Sequence, residues 1–478
     1  MDFINHTPFP AFAFEGVDQR RQSFHVVVLR QTLSWNDAGE LLFADQQSPL
    51  CDTDEPFDSA QSEGEPRQES DLCQYKPRCD VIVNATAHAP RSPQAKPVHR
   101  FDVRLVVKRP DTPAPIPPQP HALNPFMPVS ADEMARWRAA VSQAERNPTP
   151  GRRLIDKILS VTGERRFTKR EGAAQLGASM LKLGTLGVVR PAAWQLSDPA
   201  PVHNVPLRLA LTFGGQCRIE AGTKAAAHVP KPHRLTPEQA ASHPDAAAPP
   251  GAHEAFAANP AGQGYTRDWY LDATGTTSIA APQIEHPASP ITLQHFDQTR
   301  ADRLDAAADG LVAGLGIRPK GHPERARLVG TVDAAFIRGD TALPADFDFT
   351  VWNAAWPDQR VDALQGDEII ELHNLCAAHT PGVRRDAEGN TLLRLSLPGH
   401  LPFVLVRFEH GAIGELAARL DTVLIEPEQR QLTCVWRATI GQQPEVRVLE
   451  ARMLQRSQVE SLRRRQAMTQ ARAETAHG

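Results

Sequence analysis

Hydrophobic and polar residues alternate along several stretches of this chain with the two-residue period of a β-strand. Residues 101–108 read FDVRLVVK, and their alternate apolar positions predict a strand with one face on a core. Residues 24–33 and 80–85 are apolar and β-branched enough to form buried strands. The N-terminal part of the chain is therefore predicted to be rich in strands.

Strand patterns return further along the chain. Residues 206–213 (PLRLALTF) place four apolar side chains on one face, and 392–397 and 402–408 are further apolar stretches. Residues 422–425 and 431–438 predict a hairpin, because the segment EPEQR between them is typical of a turn. We predict a mainly β fold (a β-rich α+β class), with a large two-lobed body of antiparallel sheets and few helices.

One helix start is clear from the sequence. Ser130 and Glu133 have the spacing of a capping box, and Met134 and Trp137 follow at helical spacing. A proline-rich segment, 110–128, precedes this helix and predicts an extended linker.

These patterns divide the chain into an N-terminal β lobe (1–109), a proline-rich linker with the capped helix (110–150), a second β-rich lobe (151–450) and a basic tail (451–478). Within the second lobe, 221–258 is rich in Ala, Pro and His, which predicts a poorly packed insertion. The arginine-rich tail could dock on an acidic partner or on nucleic acid. We favour a solvated terminal helix that frays.

Four carboxylates are the candidates for chemistry. Asp346 and Asp348 alternate with phenylalanines in 343–349, which predicts a strand, and Asp367 and Glu368 lie in a predicted turn before an apolar stretch. They could be catalytic or metal-binding groups, or they could accept backbone N–H groups in turns. We favour the structural interpretation, because Asp is a preferred turn residue and no His, Lys or Cys stands at fixed local spacing.

Composition narrows the class of protein. The chain has 478 residues, 41% of them hydrophobic and 23% charged, with 42 Pro and 3 Tyr, which is typical of a globular protein with many short strands. The formal net charge of −4 gives no general attraction to nucleic acid or to an anionic membrane. The N-terminus has no secretory signal pattern, so we expect a cytoplasmic protein.

The remaining residue patterns give no clear reaction. The six cysteines form no CxxC pair, so we expect reduced, mostly buried thiols and no metal site at Cys73 and Cys79. No nucleotide-binding, zinc-protease or serine-hydrolase motif is present. The glycines near 214–215 and 259–264 lack a following helix and indicate tight turns. We therefore expect no catalytic, cofactor-binding or metal-binding residues and no cofactor.

Short strings along the chain resemble one bacterial protein family. They include NHTPF (5–9), ESDL (69–72), KP (76–77), AHAP (87–90), FGG (213–215), NPAGQG (259–264), PQIEHP (282–287), GTVD (330–333), LPADFD (343–348) and GDE (366–368). Their order and their spread over the chain carry the resemblance, since no single string is specific. The family is catalogued as domain of unknown function 2169, and its members accompany type VI secretion effectors as adaptors or chaperones.

The resemblance implies a non-enzymatic protein that holds a secreted effector and aids its loading onto the spike, whose proteins are VgrG-like or PAAR-like. The implied partners are the effector and the spike protein, with no nucleic acid and no membrane. A strand-rich body also offers sheet edges where a partner segment can add a strand. Two alternatives stay open: an enzyme that uses Asp346, Asp348, Asp367 and Glu368, and a structural component of the secretion machine.

Overall fold

The computed structural model describes residues 1–57, 65–91, 96–112, 118–120, 129–170, 193–243, 249–304, 306–455 and 458. Strand accounts for 39% of the structure and helix for 18%. The prediction of a mainly β fold with antiparallel sheets is therefore confirmed. Most of the basic tail and of the proline-rich linker lies outside the described residues.

The first fourteen strands precede residue 215. They are β1 (Asp2–Asn5), β2 (Ala11–Val17), β3 (Ser23–Trp35), β4 (Leu41–Phe43), β5 (Glu55–Pro56), β6 (Pro66–Gln68), β7 (Cys79–Val83), β8 (Thr86–His88), β9 (Arg100–Lys108), β10 (Arg153–Thr162), β11 (Arg165–Arg170), β12 (Ala193–Leu196), β13 (Asn204–Pro206) and β14 (Phe213–Gly214).

Fourteen more strands follow in the rest of the described chain. They are β15 (Gln216–Glu220), β16 (Pro250–Ala255), β17 (Gln263–Gly264), β18 (Ser278–Ala281), β19 (Ile284–Glu285), β20 (Arg360–Val361), β21 (Ile369–His373), β22 (Val383–Arg385), β23 (Thr391–Ser396), β24 (Leu401–Phe408), β25 (Ile413–Ala417), β26 (Arg419–Glu426), β27 (Gln431–Gly441) and β28 (Val446–Leu454).

The helices are short apart from α1, which has 16 residues. They are α1 (Ala131–Arg146), α2 (Lys224–His228), α3 (Pro237–Ala241), α4 (Asp268–Thr274), α5 (Leu293–Arg300), α6 (Pro323–Ala326) and α7 (Ala334–Ile337). Single 3-10 turns occur at Leu209–Leu211, Lys231–His233, Ala306–Leu311, Arg327–Val329, Phe349–Trp352, Pro357–Gln359 and Pro427–Gln429. Among the described residues, no helix has the length and apolar character needed to cross a membrane.

The predicted capping box at the start of α1 is confirmed. The Ser130 hydroxyl accepts the Glu133 N–H at 3.2 Å, and the Glu133 carboxylate accepts the Ser130 N–H at 3.0 Å. Two N–H groups that the first turn would leave unbonded are thereby satisfied.

Three large sheets form the body of the protein. Their strand orders are β2-β3-β27-β26-β7-β20 with β4 added on β3, β19-β10-β9-β21-β23-β22, and β1-β28-β24-β25. In the seven-stranded sheet, β3 and β27 pair antiparallel from Ser34↔Gln431 to Phe24↔Gly441. The predicted hairpin is confirmed, because β26 and β27 also pair antiparallel.

The two predicted lobes, 1–109 and 151–450, share the two largest sheets. In the seven-stranded sheet β3 and β7 pair with β27 and β26, and in the six-stranded sheet β9 lies between β10 and β21. The predicted domain boundaries themselves stay a prediction.

A first hydrophobic core joins the three large sheets. It includes Leu29 and Leu432 from the seven-stranded sheet, Leu105 and Leu372 from the six-stranded sheet and Val404 from the four-stranded sheet, all fully buried. The alternation seen in 101–108 is the reason: the odd-numbered residues of β9 enter this core.

A second core is smaller and more aromatic, and it takes its buried residues from 167–356. The rings of Phe167 and Phe296 stack with centroids 4.2 Å apart, and Trp194 lies 5.0 Å from Phe296. Aromatic side chains, which bury a large apolar area each, therefore contribute to the packing of these short strands and short helices.

The structure corrects the strand predicted for 206–213. Only Pro206 and Phe213 belong to strands, β13 and β14, and a 3-10 turn lies between them. The Leu209 N–H donates to the Glu65 carboxylate at 3.0 Å and not to a neighbouring strand. A carboxylate more than 140 positions away in the sequence thus determines the local conformation.

The insertion predicted for 221–258 has two parts that differ in packing: residues 221–243 are mostly exposed, whereas residues 250–258 are mostly buried or half-buried. Its strand β16 pairs with β15, and Val229 and Ala252 are buried in the second core. Residues 244–248 lie outside the described residues. The poor packing that the composition predicts therefore stays a prediction for the insertion as a whole.

Candidate functional site

Asp346 and Asp348 lie in a loop, so the strand predicted for 343–349 is wrong. Asp346 accepts the Thr331 N–H at 2.8 Å and the Thr331 hydroxyl at 2.9 Å, and these bonds lower the pKa of its carboxyl group. Asp348 accepts the Thr350 N–H at 2.8 Å and caps the 3-10 turn that begins at Phe349. Local side-chain bonds of this kind compete with strand pairing.

Gly330 fits closely against the Asp346 carboxylate. Its φ is +86°, and a Cβ at this position would lie 2.7 Å from Asp346 Oδ1. Both the left-handed backbone and the close approach favour glycine. The loop around Asp346 is therefore closely packed, with Gly330 in contact with the carboxylate.

Asp367 and Glu368 belong to a different turn, the predicted one before β21. Glu368 is buried, accepts the N–H groups of Gln365 at 2.7 Å and Gly366 at 3.0 Å, and pairs with Arg109. Burial raises the pKa of Glu368, while the Gln365 N–H and Arg109 act in the opposite direction.

The four candidate carboxylates thus fall into two turns with different partners. In the part of the chain that the structure describes, no group of three His, Cys, Asp or Glu side chains could hold a metal ion. The six cysteines are free and buried, as the sequence predicts.

The outer face of the seven-stranded sheet carries buried charges, and we call it the ionic face. Its ion pairs are Arg30–Asp71 at 2.7 Å, Lys76–Asp80 at 3.0 Å, Arg437–Asp421 at 2.6 Å and Arg67–Glu426 at 2.7 Å. Burial alone would lower the pKa of Lys76, but nearby acidic groups, Asp80 foremost, hold it above its usual value. Each ion pair therefore offsets part of the cost of burying its two charges.

A covering layer, residues 317–360, lies over the ionic face. Arg325 is fully buried and donates to both carboxylate oxygens of Glu69 at 2.6 Å. Asp80 accepts the Asn353 side-chain amide at 3.0 Å and the Ala354 N–H at 2.8 Å. The charges of the sheet thus fix the position of the layer by directional bonds.

The covering layer projects the loop 327–347 into solvent. Val332 is 61% exposed and Ile337 is 73% exposed, the two largest values for large hydrophobic side chains in the described residues. Asp333 caps α7 by accepting the Phe336 N–H at 2.8 Å. Below the loop, the side-chain amide of Gln19 donates to the Phe347 carbonyl at 2.5 Å. The 327–347 loop therefore exposes apolar side chains to solvent, while its backbone is held by hydrogen bonds with Asp333 and Gln19.

Lys157 is a buried cation that the sequence analysis missed. Its amino group donates to Asp358 at 2.8 Å and to the Gln359 side chain at 2.9 Å. Burial lowers its pKa to about 8, and Asp358 opposes this shift. The signal was present in the sequence, because Lys157 stands between Ile155 and Leu159 on the buried face of β10.

The glycine clusters, predicted as tight turns, lie partly in strands: Gly214 belongs to β14 and Gly264 to β17, and only 257–258 and 260–261 form turns. Gly214 and Gly215 have φ values of +150° and +127°, and β14 pairs with β17 beside them. Asn259 is buried, and its amide donates to the carbonyls of Leu209 at 2.8 Å and Phe213 at 3.0 Å. The Asn259 amide thereby joins the turns at 257–261 to the segment 209–213.

Comparison with known proteins adds one positive result. The chain matches the family model DUF2169, described as "Uncharacterized protein conserved in bacteria", over residues 20–116 and 130–437. The chain belongs to this family. The DUF2169 match includes α1, all four ion pairs of the ionic face and the whole 327–347 loop, and it omits 1–19, 117–129 and 438–478. No curated protein and no solved structure matches the chain.

Proposed function

We propose that this DUF2169 protein is a non-enzymatic adaptor or chaperone that binds a type VI secretion effector in the cytoplasm and aids its loading onto the spike complex. The observation that carries the proposal is the exposed apolar surface of the 327–347 loop, whose backbone is hydrogen-bonded to Asp346. The link to type VI secretion comes from the resemblance of the sequence strings.

Exposed apolar side chains such as Val332 and Ile337 are unfavourable in water. Removing such a surface from water yields about 25 cal/mol for each Å² that a partner covers. A loop that is already ordered by Asp346 and Asp333 loses little further conformational entropy on binding. The loop is therefore suited to bind another protein without first rearranging.

Deletion of this gene tests the cellular role. The neighbouring effector should no longer be secreted, while the tube protein of the secretion machine still is, because a loading factor contributes nothing to assembly of the machine. Loss of both secreted proteins would favour a structural component, and loss of neither would contradict the adaptor.

Complementation of the deletion strain tests the loop. The double variant Val332→Asp/Ile337→Asp should fold, because exposed substitutions change stability by only about 0.5 kcal/mol each. It should fail to restore effector secretion. Leu42→Asp is the matched control, since Leu42 is another exposed large hydrophobic residue and lies on β4. Normal secretion with the double variant would show that the loop is not the binding surface.

A further inference from the structure

β25 is an edge strand whose outer side has unused hydrogen-bonding groups. It is the last strand of the four-stranded sheet, and within the part of the chain that the structure describes it pairs with β24 alone. Ile413 on this strand is 58% exposed and Leu416 is 38% exposed. An exposed edge with apolar side chains is a template for adding another strand.

The register identifies which backbone groups face outward. The Ala418 N–H donates to the Pro402 carbonyl at 2.9 Å, and the Phe408 N–H donates to the Ala412 carbonyl at 3.0 Å. Because bonded and non-bonded pairs alternate in an antiparallel ladder, the even-numbered residues of β25 face β24. The N–H and C=O groups of Ile413, Glu415 and Ala417 therefore point to the free edge.

A cavity of about 80 Å³ lies beside this edge. Leu416 and Ala417 line one part of it, and the side chains of Lys76, Arg419 and Arg437 bring three positive charges against the single carboxylate of Asp421. Lys76 and Arg437 are neutralised by Asp80 and Asp421.

Arg419 differs from the other two cations of the cavity. It donates to the Tyr75 hydroxyl at 3.4 Å and to the carbonyls of Pro77 at 3.2 Å and Asp362 at 3.1 Å, none of which carries a net charge. Since these bonds, the ones that the described residues provide, are all to neutral groups, the Arg419 guanidinium is complementary to a carboxylate.

We infer that β25 binds an extended segment of a partner protein by strand addition, and that a carboxylate of this segment pairs with Arg419. The backbone groups at Ile413, Glu415 and Ala417 would bond the added strand, and Ile413 and Leu416 would contact its apolar side chains. This inference rests on the proposed binding function and states the chemistry of the segment that is bound.

The test uses the full chain and overlapping peptides of about 15 residues, long enough to add one strand, from the proteins encoded on either side of this gene. Glu415→Pro removes one outward N–H and leaves the ladder with β24 intact, since proline is tolerated on edge strands. By fluorescence anisotropy, a carboxylate-bearing peptide should bind the wild-type chain and bind Glu415→Pro about tenfold more weakly.

Glu15→Pro is the matched control. Glu15 lies on the edge strand β2, and the Arg30 N–H donates to the Pro10 carbonyl at 2.9 Å, so its N–H also faces outward. This variant should bind like the wild-type chain, and circular dichroism should show that both proline variants are folded. Glu415→Ala, which keeps the N–H, should also bind normally.

Changes in the peptide test the two kinds of contact. N-methylation of alternate peptide amides should abolish binding, while methylation of the intervening amides should not, because only every second amide faces β25. Replacing the peptide carboxylates by amides should weaken binding to the wild-type chain about fivefold.

Other outcomes would overturn the inference. These are equal binding to Glu415→Pro, equal loss with Glu15→Pro, or a dimer of this chain that Glu415→Pro dissociates. If an intact neighbouring protein binds and no peptide does, strand addition is wrong while the adaptor proposal stands. If neither binds, strand addition is wrong, and the secretion assay alone decides the adaptor proposal.

Discussion

The two faces of the seven-stranded sheet are made by the same strands but are held by different forces. On β26, Ile425 enters the first hydrophobic core, and the next residue, Glu426, pairs with Arg67 on the ionic face. On β7, Val81 and Val83 are in the core while Asp80 bonds Lys76. Alternation along a strand therefore gives one sheet an apolar side and an ionic side.

The two faces differ in how strictly they select the segment that packs against them. Apolar contacts are non-directional, so the inner face accepts any well-packed apolar neighbour. A buried charge requires a partner at a defined position, so the ionic face selects the segment that covers it. We expect the inner face to supply most of the stability and the ionic face to fix the 317–360 layer and its exposed loop.

The largest effect should come from breaking one buried ion pair. Asp80→Ala should lower the free energy of unfolding by about 3–5 kcal/mol, because Lys76 would stay buried without a carboxylate. Urea unfolding measures this loss. The control Asp156→Ala breaks the partly exposed Arg104–Asp156 pair, which is 2.6 Å long, and should cost about 1 kcal/mol or less. Equal losses would show that burial of the ionic face does not matter.

An intermediate effect should appear when the pH is lowered. His322 is buried in the covering layer, and burial, with the charge of Arg318, lowers its pKa from 6.5 to about 4. Between these values the unfolded chain binds a proton that the folded chain does not, so the free energy of unfolding falls as the pH falls.

His322→Asn removes this titration and keeps a side-chain acceptor for the Glu324 N–H, which His322 now caps. Between pH 7 and pH 5 the variant should lose about 1–2 kcal/mol less than the wild-type chain. Chemical unfolding at the two pH values gives the comparison. Identical pH dependence in the two proteins would contradict the role assigned to His322.

The smallest effect should come from neighbouring substitutions on opposite faces of β26. Ile425→Val should cost about 1 kcal/mol through lost packing, and this cost should be the same at low and high salt. Glu426→Gln should cost less at high salt, because Arg67 is 27% exposed and salt screens its pair. A salt dependence shared by both variants would contradict the distinction between the faces.

The pattern of apolar and polar residues within a single segment was enough to predict many elements of the fold. The buried strands β3 and β9 and the hairpin of β26 and β27 carry apolar or alternating side chains over most of their length, so their own residues determine them. The capping box at Ser130 is local in the same way.

Contacts between residues that are far apart in the sequence explain why two strand predictions were wrong. The alternation in 343–349 predicted a strand, but Asp346 bonds Thr331 and the segment has no strand partner in the described residues. The Glu65 carboxylate binds the Leu209 N–H and interrupts the predicted strand 206–213. No local pattern reveals such partners, nor the pairing of Arg325 with Glu69 that anchors the exposed loop.

The position of β27 in the sheet affects how the chain folds while the ribosome is synthesising it. β27 lies between β3 and β26, and about 400 residues separate it from β3 along the sequence. At about 5–20 residues per second, the ribosome needs roughly 20–80 s to make the intervening chain. During that time one edge of β3, a strand rich in valine and leucine, has no native partner and can pair with other nascent chains. Slow synthesis or premature termination before Gly441 should therefore yield aggregates and not a shorter folded protein.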